Sequence, residues 1–323
     1  MGMHRKTAHS VAFTLSAILA CAGFCTAAPP APPAQTVQTV QTVQTRMSAE
    51  QACDSTPLWR INDDDSVLFL FGTLHVLPEN KNWVTPLIRT AMAQTPVTIF
   101  EIAPEAAGDE TEMMQLLGEY GLNANGAQMA DLVGEARWAR FARIARGIGI
   151  DPAAMQTYRP WLALVVLTAS ALENAGYQSE FGAEKVIQTA AEQEEDSLQG
   201  LESLRDQFSA LASLDDQTML EHFDSSLDEI ENIKPITDNL MRAWCTGDAD
   251  LIYQLAVQDL AKTAPAAYKA LFLNRNRAWT VQIEQMLNGS GSHFIAVGAG
   301  HLVGPDSIIN MLQDDQLTIE RLQ

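Results

Sequence analysis

Apolar and polar positions divide the chain into strand-like segments near both ends and a middle that follows the helical period. Short apolar or alternating runs, which are typical of strands, occupy residues 58–61, 67–71, 97–101, 197–201, 293–297 and 317–322. Most of residues 108–286 has helical spacing, and a helix is also predicted over 83–94. The pattern predicts an α/β fold with a mixed central sheet built from the N- and C-terminal strands and a large, mostly helical middle.

Two strand-like runs, far apart in the chain, end in the same Gly-x-x-His motif. The first motif occupies residues 72–75 and the second occupies residues 298–301. Glycine lets the backbone turn sharply and approach a ligand closely. We expect the backbone around the two motifs to shape a site through Gly72, Thr73, Gly298, Gly300 and Gly304.

Three of the predicted strands end in an ionisable residue, namely His75, Glu101 and His301. Open α/β sheets bind ligands at the carboxyl ends of their strands, so these side chains would share one crevice if the strands pair. Two imidazoles and a carboxylate are the ligand set of a hydrolytic site for a divalent metal such as Mn, Co or Zn. The alternative is that each residue caps a strand or faces solvent, since a single Gly-x-x-His is a weak pattern.

The first fifty residues have the sequence features of an export signal followed by a flexible linker. Residues 1–27 combine a short basic start, an apolar stretch and a small-x-small cleavage site, which is typical of a bacterial signal peptide. A lipobox-like sequence offers cleavage before Cys21 and a lipid anchor as the alternative. Residues 28–50 are proline-rich and then repeat Thr-Val-Gln, which predicts a flexible linker. Residues 51–323 would form a single domain, exported to the periplasm or secreted, with no membrane span in the mature chain.

Charge and cysteine content narrow the choice of partners. The chain carries 20 Lys and Arg residues against 40 Asp and Glu residues, a net charge of -20, which disfavours nucleic acid as a partner. Cys53 and Cys245 remain after removal of the leader, and export makes a disulfide between them possible. The sequence leaves open whether they pair or stay as two buried thiols.

Residues 71–77, Phe100-Glu101 and residues 296–304 resemble the TraB/GumN family, which is similar to the Tiki metalloproteases. Weaker support comes from the Leu-Glu pair at residues 201–202 followed by Gln207, and from residues 273–276 followed by Trp279. The likeness spans nearly all of residues 56–323. It implies an α/β fold related to the erythromycin esterases and the haem-binding ChaN group.

The resemblance also implies roles for individual residues. His75, Glu101 and His301 would line one site as metal ligands, and Glu101 would be either the third ligand or the general base. Arg275 and Asn276 would lie beside them, where Arg275 would stabilise an oxyanion and Asn276 would orient a ligand or a substrate carbonyl. The structural alternative for both is a helix cap or a buried ion pair.

The sequence departs from the family pattern in its middle, where the family often has Gly-x-Asp and this chain has Gly182-Ala183-Glu184. The longer side chain would change the site's geometry if it reaches that far. The expected function is an exported, metal-dependent hydrolase, with a peptide or small-molecule substrate and peptidase activity favoured. The alternative is a protein of the same fold that binds a ligand, haem or an envelope component without catalysis.

Overall fold

The computed structural model describes residues 53–214, 216–314 and 319–323, with side chains for all of these except residues 313 and 314. The predicted signal peptide (1–27), the linker (28–50) and the alternative lipid anchor at Cys21 lie outside the described residues.

Within the described residues, six strands form one mixed sheet whose spatial order is β4-β3-β5-β2-β1-β6. Strands β2, β5, β3 and β4 run parallel to one another, whereas β1 is antiparallel to both of its neighbours. The strands are β1 (Leu58–Asn62), β2 (Ser66–Thr73), β3 (Val97–Ile102), β4 (Ser197–Glu202), β5 (Gly291–Gly298) and β6 (Ile319–Arg321). Strand β5 comes late in the chain but lies between β2 and β3 in the sheet. The N- and C-terminal parts of the chain therefore share one sheet.

The helices fill the middle of the chain, as predicted. They are α1 (Pro86–Ala93), α2 (Pro104–Ala107), α3 (Glu110–Leu116), α4 (Met129–Val133), α5 (Glu135–Gly147), α6 (Pro160–Asn174), α7 (Ala183–Gln193), α8 (Leu204–Ala212), α9 (Asp216–Glu231), α10 (Ile233–Cys245), α11 (Ala249–Ala256), α12 (Gln258–Thr263), α13 (Pro265–Tyr268), α14 (Asn274–Leu287) and α15 (Ile308–Asp314).

Local rules account for where several helices begin and end. The helix predicted over 83–94 begins only at Pro86, after the Thr85 side chain, which caps it by accepting a hydrogen bond from the Ile88 amide. The apolar stretch predicted as a buried helix is α6, which also begins at a proline and buries ten residues around nearly its whole circumference. No helix among the described residues combines the length and apolarity that crossing a bilayer requires.

Both faces of the sheet are covered by helices. Side chains alternate along each strand, so neighbouring residues of one strand pack into different cores. Phe69 and Phe71 of β2 belong to the larger core, which the helical middle completes. Leu68 and Leu70 point the other way, into a smaller core that α14 and α15 close. Because both faces of the parallel strands are buried, β2 and β5 are nearly continuous apolar runs.

The two cysteines form a disulfide that joins the segment before β1 to the last residue of α10. Next to this bridge, the Ser55 amide donates a hydrogen bond to the Cys245 carbonyl at 3.2 Å. The bridge therefore fastens the start of the described domain to the helical middle.

Candidate functional site

Four neighbouring parallel strands carry an ionisable residue at their carboxyl ends, and these ends meet at one edge of the sheet. His75 follows β2, Glu101 lies in β3, Glu202 closes β4, and His301 lies in the 3-10 turn that follows β5. All four are nearly or completely buried. The structure thus places the three sequence-predicted ligands at one edge and adds Glu202 to them.

The two Gly-x-x-His motifs lie side by side but approach this edge from opposite faces of the sheet. In the register of β2 with β5, Gly72 pairs with Val297 and Thr73 pairs with Gly298. Phe71 belongs to the core of the helical middle, whereas Val297 belongs to the core under α14 and α15. The chain must therefore turn after each strand end before the two imidazoles can share a site, and the glycines of the motifs permit those turns.

His301 is completely buried, and its partners define its tautomer. Asn276 donates a hydrogen bond from its amide nitrogen to the Asp306 carbonyl (2.7 Å), which turns its amide oxygen toward the imidazole. This oxygen lies 2.6 Å from Nδ1 of His301, so we assign the ring proton to Nδ1. Nε2 of His301 then presents its lone pair toward Arg275 and Glu101.

The surroundings of His301 keep it neutral. Burial lowers its pKa well below the ordinary value, and the nearby charges of Arg275 and His75 lower the pKa further. The rings of Phe272 and Trp279 pack against the imidazole, with centroids 4.9 and 4.6 Å away. A neutral imidazole with Nδ1 fixed by an oxygen is the form that serves as a metal ligand or a general base.

Arg275 lies at the start of α14, directly after a π-helical turn that spans Lys269–Leu273. Its Nε and Nη2 donate to the two oxygens of Glu202 (2.9 and 2.7 Å), and Nη2 also donates to Glu101 (2.7 Å). Its Nη1 donates to the Leu271 carbonyl (3.0 Å) and lies 3.3 Å from Nε2 of His301. All five N–H groups therefore point to atoms of the protein itself.

The two carboxylates held by Arg275 differ in their environments. Glu101 accepts the Gly298 amide at one oxygen (2.8 Å) and Arg275 at the other, so Gly298 of the second motif serves the site through its backbone. For Glu202, burial raises the pKa of the carboxyl, although the charge of Arg275 opposes that rise. The Arg275 guanidinium also lies 4.6 Å over the Trp279 ring, which completes its enclosure.

His75 pairs with Glu184, the second residue of α7. Nδ1 of His75 contacts the Glu184 carboxylate, and the Thr73 hydroxyl donates to the same carboxylate oxygen. Burial alone would raise the pKa of the Glu184 carboxyl, but the charge of His75 and the hydrogen bonds from His75 and Thr73 hold the pKa below its ordinary value. Glu184, which stands where the family often has the Asp of Gly-x-Asp, thus contacts the site at His75.

The remaining motif glycines pack closely against neighbouring groups. A Cβ at Gly300 would lie 2.9 Å from the Phe272 ring, so the ring that packs on His301 also limits the size of this residue. Gly304 has a φ of +87° and approaches the Tyr253 ring so closely that a Cβ there would lie 2.2 Å from it. Gly72 accepts the Trp244 indole N–H at its carbonyl (2.6 Å).

Sequence reasoning noted Glu202 within a family-like Leu-Glu pair and Glu184 as an acid that would alter the site if it reached it, but it assigned neither residue to the site. The strand-end pattern contained a signal for Glu202, because β4 also ends in an ionisable residue, but the predicted strand stopped one residue earlier, at 201. No strand pattern could find Glu184, because it lies on a helix and its partner His75 is more than 100 residues away in the sequence.

The donor atoms at this site suit a divalent metal in chemistry and in charge. Within the described residues, no group of three or more His, Cys, Asp or Glu side chains has a geometry that could hold a metal ion. Nevertheless His75 and His301 each have Nδ1 next to a side-chain oxygen, which is the arrangement seen where a histidine binds a metal through Nε2. Glu101, Glu184 and Glu202 are three carboxylates in a buried cluster that contains a single guanidinium.

Comparison with known proteins agrees with this arrangement. The model of the TraB/PrgY/gumN family matches residues 57–321, which include every strand-end residue of the site. The chain belongs to the TraB/PrgY/gumN family. The uncharacterized protein YbaP of Escherichia coli (strain K12) and YbaP of Shigella flexneri are each 25% identical to it over 190 residues, or 57% of this chain and 68% of theirs. No solved structure matches the chain.

Family membership confirms the resemblance stated from the motifs, and the mixed sheet confirms the predicted α/β fold. The predicted roles of the site residues as ligands or catalysts stay predictions, since membership in the TraB/PrgY/gumN family by itself specifies neither a metal nor a reaction.

Proposed function

We propose that this protein of the TraB/PrgY/gumN family is an exported, metal-dependent hydrolase that cleaves peptide bonds. The observation that carries the proposal is the buried cluster at the carboxyl ends of β2, β3, β4 and β5. There two imidazoles lie beside carboxylates that outnumber the single guanidinium. The resemblance of the paired Gly-x-x-His motifs to those of the Tiki metalloproteases supports a peptide as the substrate.

His75, His301 and Glu101 would hold the metal. One divalent cation, Mn, Co or Zn, would add positive charge beside three buried carboxylates, which are costly to keep buried without counter-charges. A metal held there would act as a Lewis acid that polarises the bond to be cleaved. Its binding at His301 would replace the 3.3 Å contact between Nε2 of His301 and Nη1 of Arg275.

The protein's own groups have separable tasks in this proposal. Asn276 accepts a hydrogen bond from Nδ1 of His301 and would keep Nε2 of that ring directed to the metal position. Glu101 acts as the third ligand, because hydrogen bonds from Arg275 and the Gly298 amide hold its carboxylate in place at the strand ends. Arg275 fixes Glu101, and it would have to release one of its present bonds to stabilise an oxyanion.

Export is supported by two features of the chain. Residues 1–27 have the pattern of a signal peptide, with anchoring through Cys21 as the alternative. The Cys53–Cys245 disulfide also suits an oxidising compartment such as the periplasm. Expression with a fractionation assay in a bacterial host would locate the mature chain, and retention in the cytoplasm would contradict this part of the proposal.

The central experiment measures metal binding and cleavage together. The protein is stripped of metal, titrated with Mn, Co and Zn, and then incubated with a complex peptide library whose products are read by mass spectrometry. We expect tight binding of about one metal per chain, together with metal-dependent cleavage, in the wild type. Both should be lost in His75→Ala and His301→Ala, and cleavage should be lost in Glu101→Gln.

His293→Ala is the matched control, because His293 lies near the start of β5, at the opposite end of the strand from the turn that carries His301. It should bind metal and cleave as the wild type does. Equal and weak metal binding by the wild type and both site variants would overturn the metal proposal. Metal uptake without cleavage of any peptide would instead support the alternative, a binding protein of the same fold.

A further inference from the structure

The backbone on both sides of His75 is fastened to the segment that precedes α7. Leu77 and Gln178 exchange backbone hydrogen bonds in both directions (3.2 and 3.0 Å). On the other side of His75, the Ala183 amide donates to the Leu74 carbonyl at 2.9 Å. His75 is thus enclosed between two backbone attachments to residues 178–183.

Gly182 brings the two segments into direct contact. A Cβ at this position would lie 2.1 Å from the His75 carbonyl oxygen, so only glycine fits against the motif here. Glu184 follows two residues later, at the start of α7, where its position relative to His75 is set by this backbone contact. A carboxylate in the first turn of a helix is also favoured by the helix dipole.

We propose that Glu184, supported by Thr73, is a positioning residue that fixes the tautomer and the direction of the His75 ring and thereby sets the metal affinity of the site. The Glu184 oxygen that lies against Nδ1 of His75 also accepts the Thr73 hydroxyl. With the proton on Nδ1, a metal would bind His75 through Nε2, just as Asn276 directs Nε2 of His301. The claim about metal affinity rests on the proposed function, whereas the claim about the tautomer of His75 does not.

The tautomer is measured first, in metal-free protein labelled with ¹⁵N in its histidines. Two-bond ¹H–¹⁵N spectra at pH 8 show which ring nitrogen carries the proton, and His75→Ala identifies the His75 signals. We expect the proton on Nδ1 of His75 in the wild type and a shift of the proton to Nε2 in Glu184→Ala. A wild-type proton on Nε2, or an unchanged tautomer in Glu184→Ala, would overturn the assignment.

Metal affinity is measured next, by competition with a chromophoric chelator for Zn and Co. Removing an outer partner of a ligating histidine typically weakens metal binding about 10–100-fold. We expect a loss of that size in Glu184→Ala and a smaller loss in Glu184→Gln, which keeps an acceptor oxygen but removes the charge. Glu184→Gln also keeps the experiment decisive if Glu184→Ala does not fold.

Glu180→Ala is the control, since Glu180 is an exposed acid of the same segment. It should change neither the tautomer nor the affinity. If His75→Ala loses the metal while both Glu184 variants retain wild-type affinity and tautomer, the positioning role is wrong and the proposed function stands. If the wild type binds no metal, the proposed function fails, and the tautomer measurement alone decides the role of Glu184.

Discussion

Arg275 is the side chain on which the charges of the candidate site depend. It joins two carboxylates from neighbouring strands, Glu101 and Glu202, and contacts His301. None of these groups is substantially exposed to water, so each charge depends on the others for compensation. Its five N–H groups all point to acceptors within the protein. Arg275 therefore forms buried ion pairs, which was the structural alternative considered from the sequence.

We predict that Arg275→Ala lowers the free energy of unfolding by about 3–5 kcal/mol at neutral pH, because it leaves two buried carboxylates without a counter-charge. Denaturant unfolding followed by circular dichroism measures this. Adding Glu202→Gln to Arg275→Ala should recover part of the loss, since it removes one of the stranded charges.

Arg205→Ala provides the comparison on the surface. Arg205 pairs with both oxygens of Glu119, but both side chains are about half exposed, so water replaces the lost partner. We expect little change in stability for this variant. Equal losses of stability in the Arg205 and Arg275 variants would show that burial does not account for the contribution of the Arg275 cluster to stability.

At the scale of elements, α10 fixes the backbone of the first Gly-x-x-His motif. Its Trp244 donates the indole N–H to the Gly72 carbonyl at 2.6 Å, and the Gly72 amide donates to the Pro57 carbonyl at 3.0 Å. The Trp244 ring also packs edge-on against Phe71 and Trp83. A helix from the middle of the chain thus holds the strand end from which His75 emerges.

We predict that Trp244→Phe keeps the aromatic packing but costs about 1–3 kcal/mol of stability, because the buried Gly72 carbonyl loses its donor. We also expect weaker metal binding, since the backbone leading to His75 is then less constrained. Thermal unfolding and a metal titration test the two parts of this prediction.

Trp161→Phe is the matched control for Trp244→Phe. Trp161 is equally buried, and its indole N–H donates to the Tyr120 carbonyl within the helical middle, away from the strand ends. We expect a comparable loss of stability with unchanged metal affinity. Weakened metal binding in both variants would mean that the effect of Trp244 is only general destabilisation.

At the scale of the whole molecule, the disulfide joins two parts of the chain separated by 192 residues. The bridge is close in sequence to both hydrogen-bond partners of Gly72, which are Trp244 and Pro57. Cys245 directly follows Trp244, and Cys53 precedes Pro57 by a few residues. Cross-linking so long a loop restricts the unfolded chain strongly.

We predict that replacing both cysteines with serine lowers the free energy of unfolding by about 2–5 kcal/mol. Wild-type protein treated with a reductant should unfold at the same denaturant concentration as this variant. An identical midpoint for the oxidised wild type and the serine variant would contradict the prediction.

The sequence by itself determined the strands, the helical middle and the residues at the strand ends. Side-chain alternation and helical spacing are local properties, so β2, β3 and β5 were predicted nearly to their ends. The repeated Gly-x-x-His pattern then required the first and last parts of the chain to share a sheet, and β5 does lie next to β2.

Only the tertiary structure decided what surrounds those residues. Glu184 meets His75, and Trp244 meets Gly72, across more than 100 residues of sequence, and no local period encodes such distances. The faces of the sheet from which the two motifs emerge also depend on the pairing of β2 with β5. The spacing of residues within one element is fixed by its backbone geometry, whereas contacts between elements are fixed by how the two cores pack against the sheet.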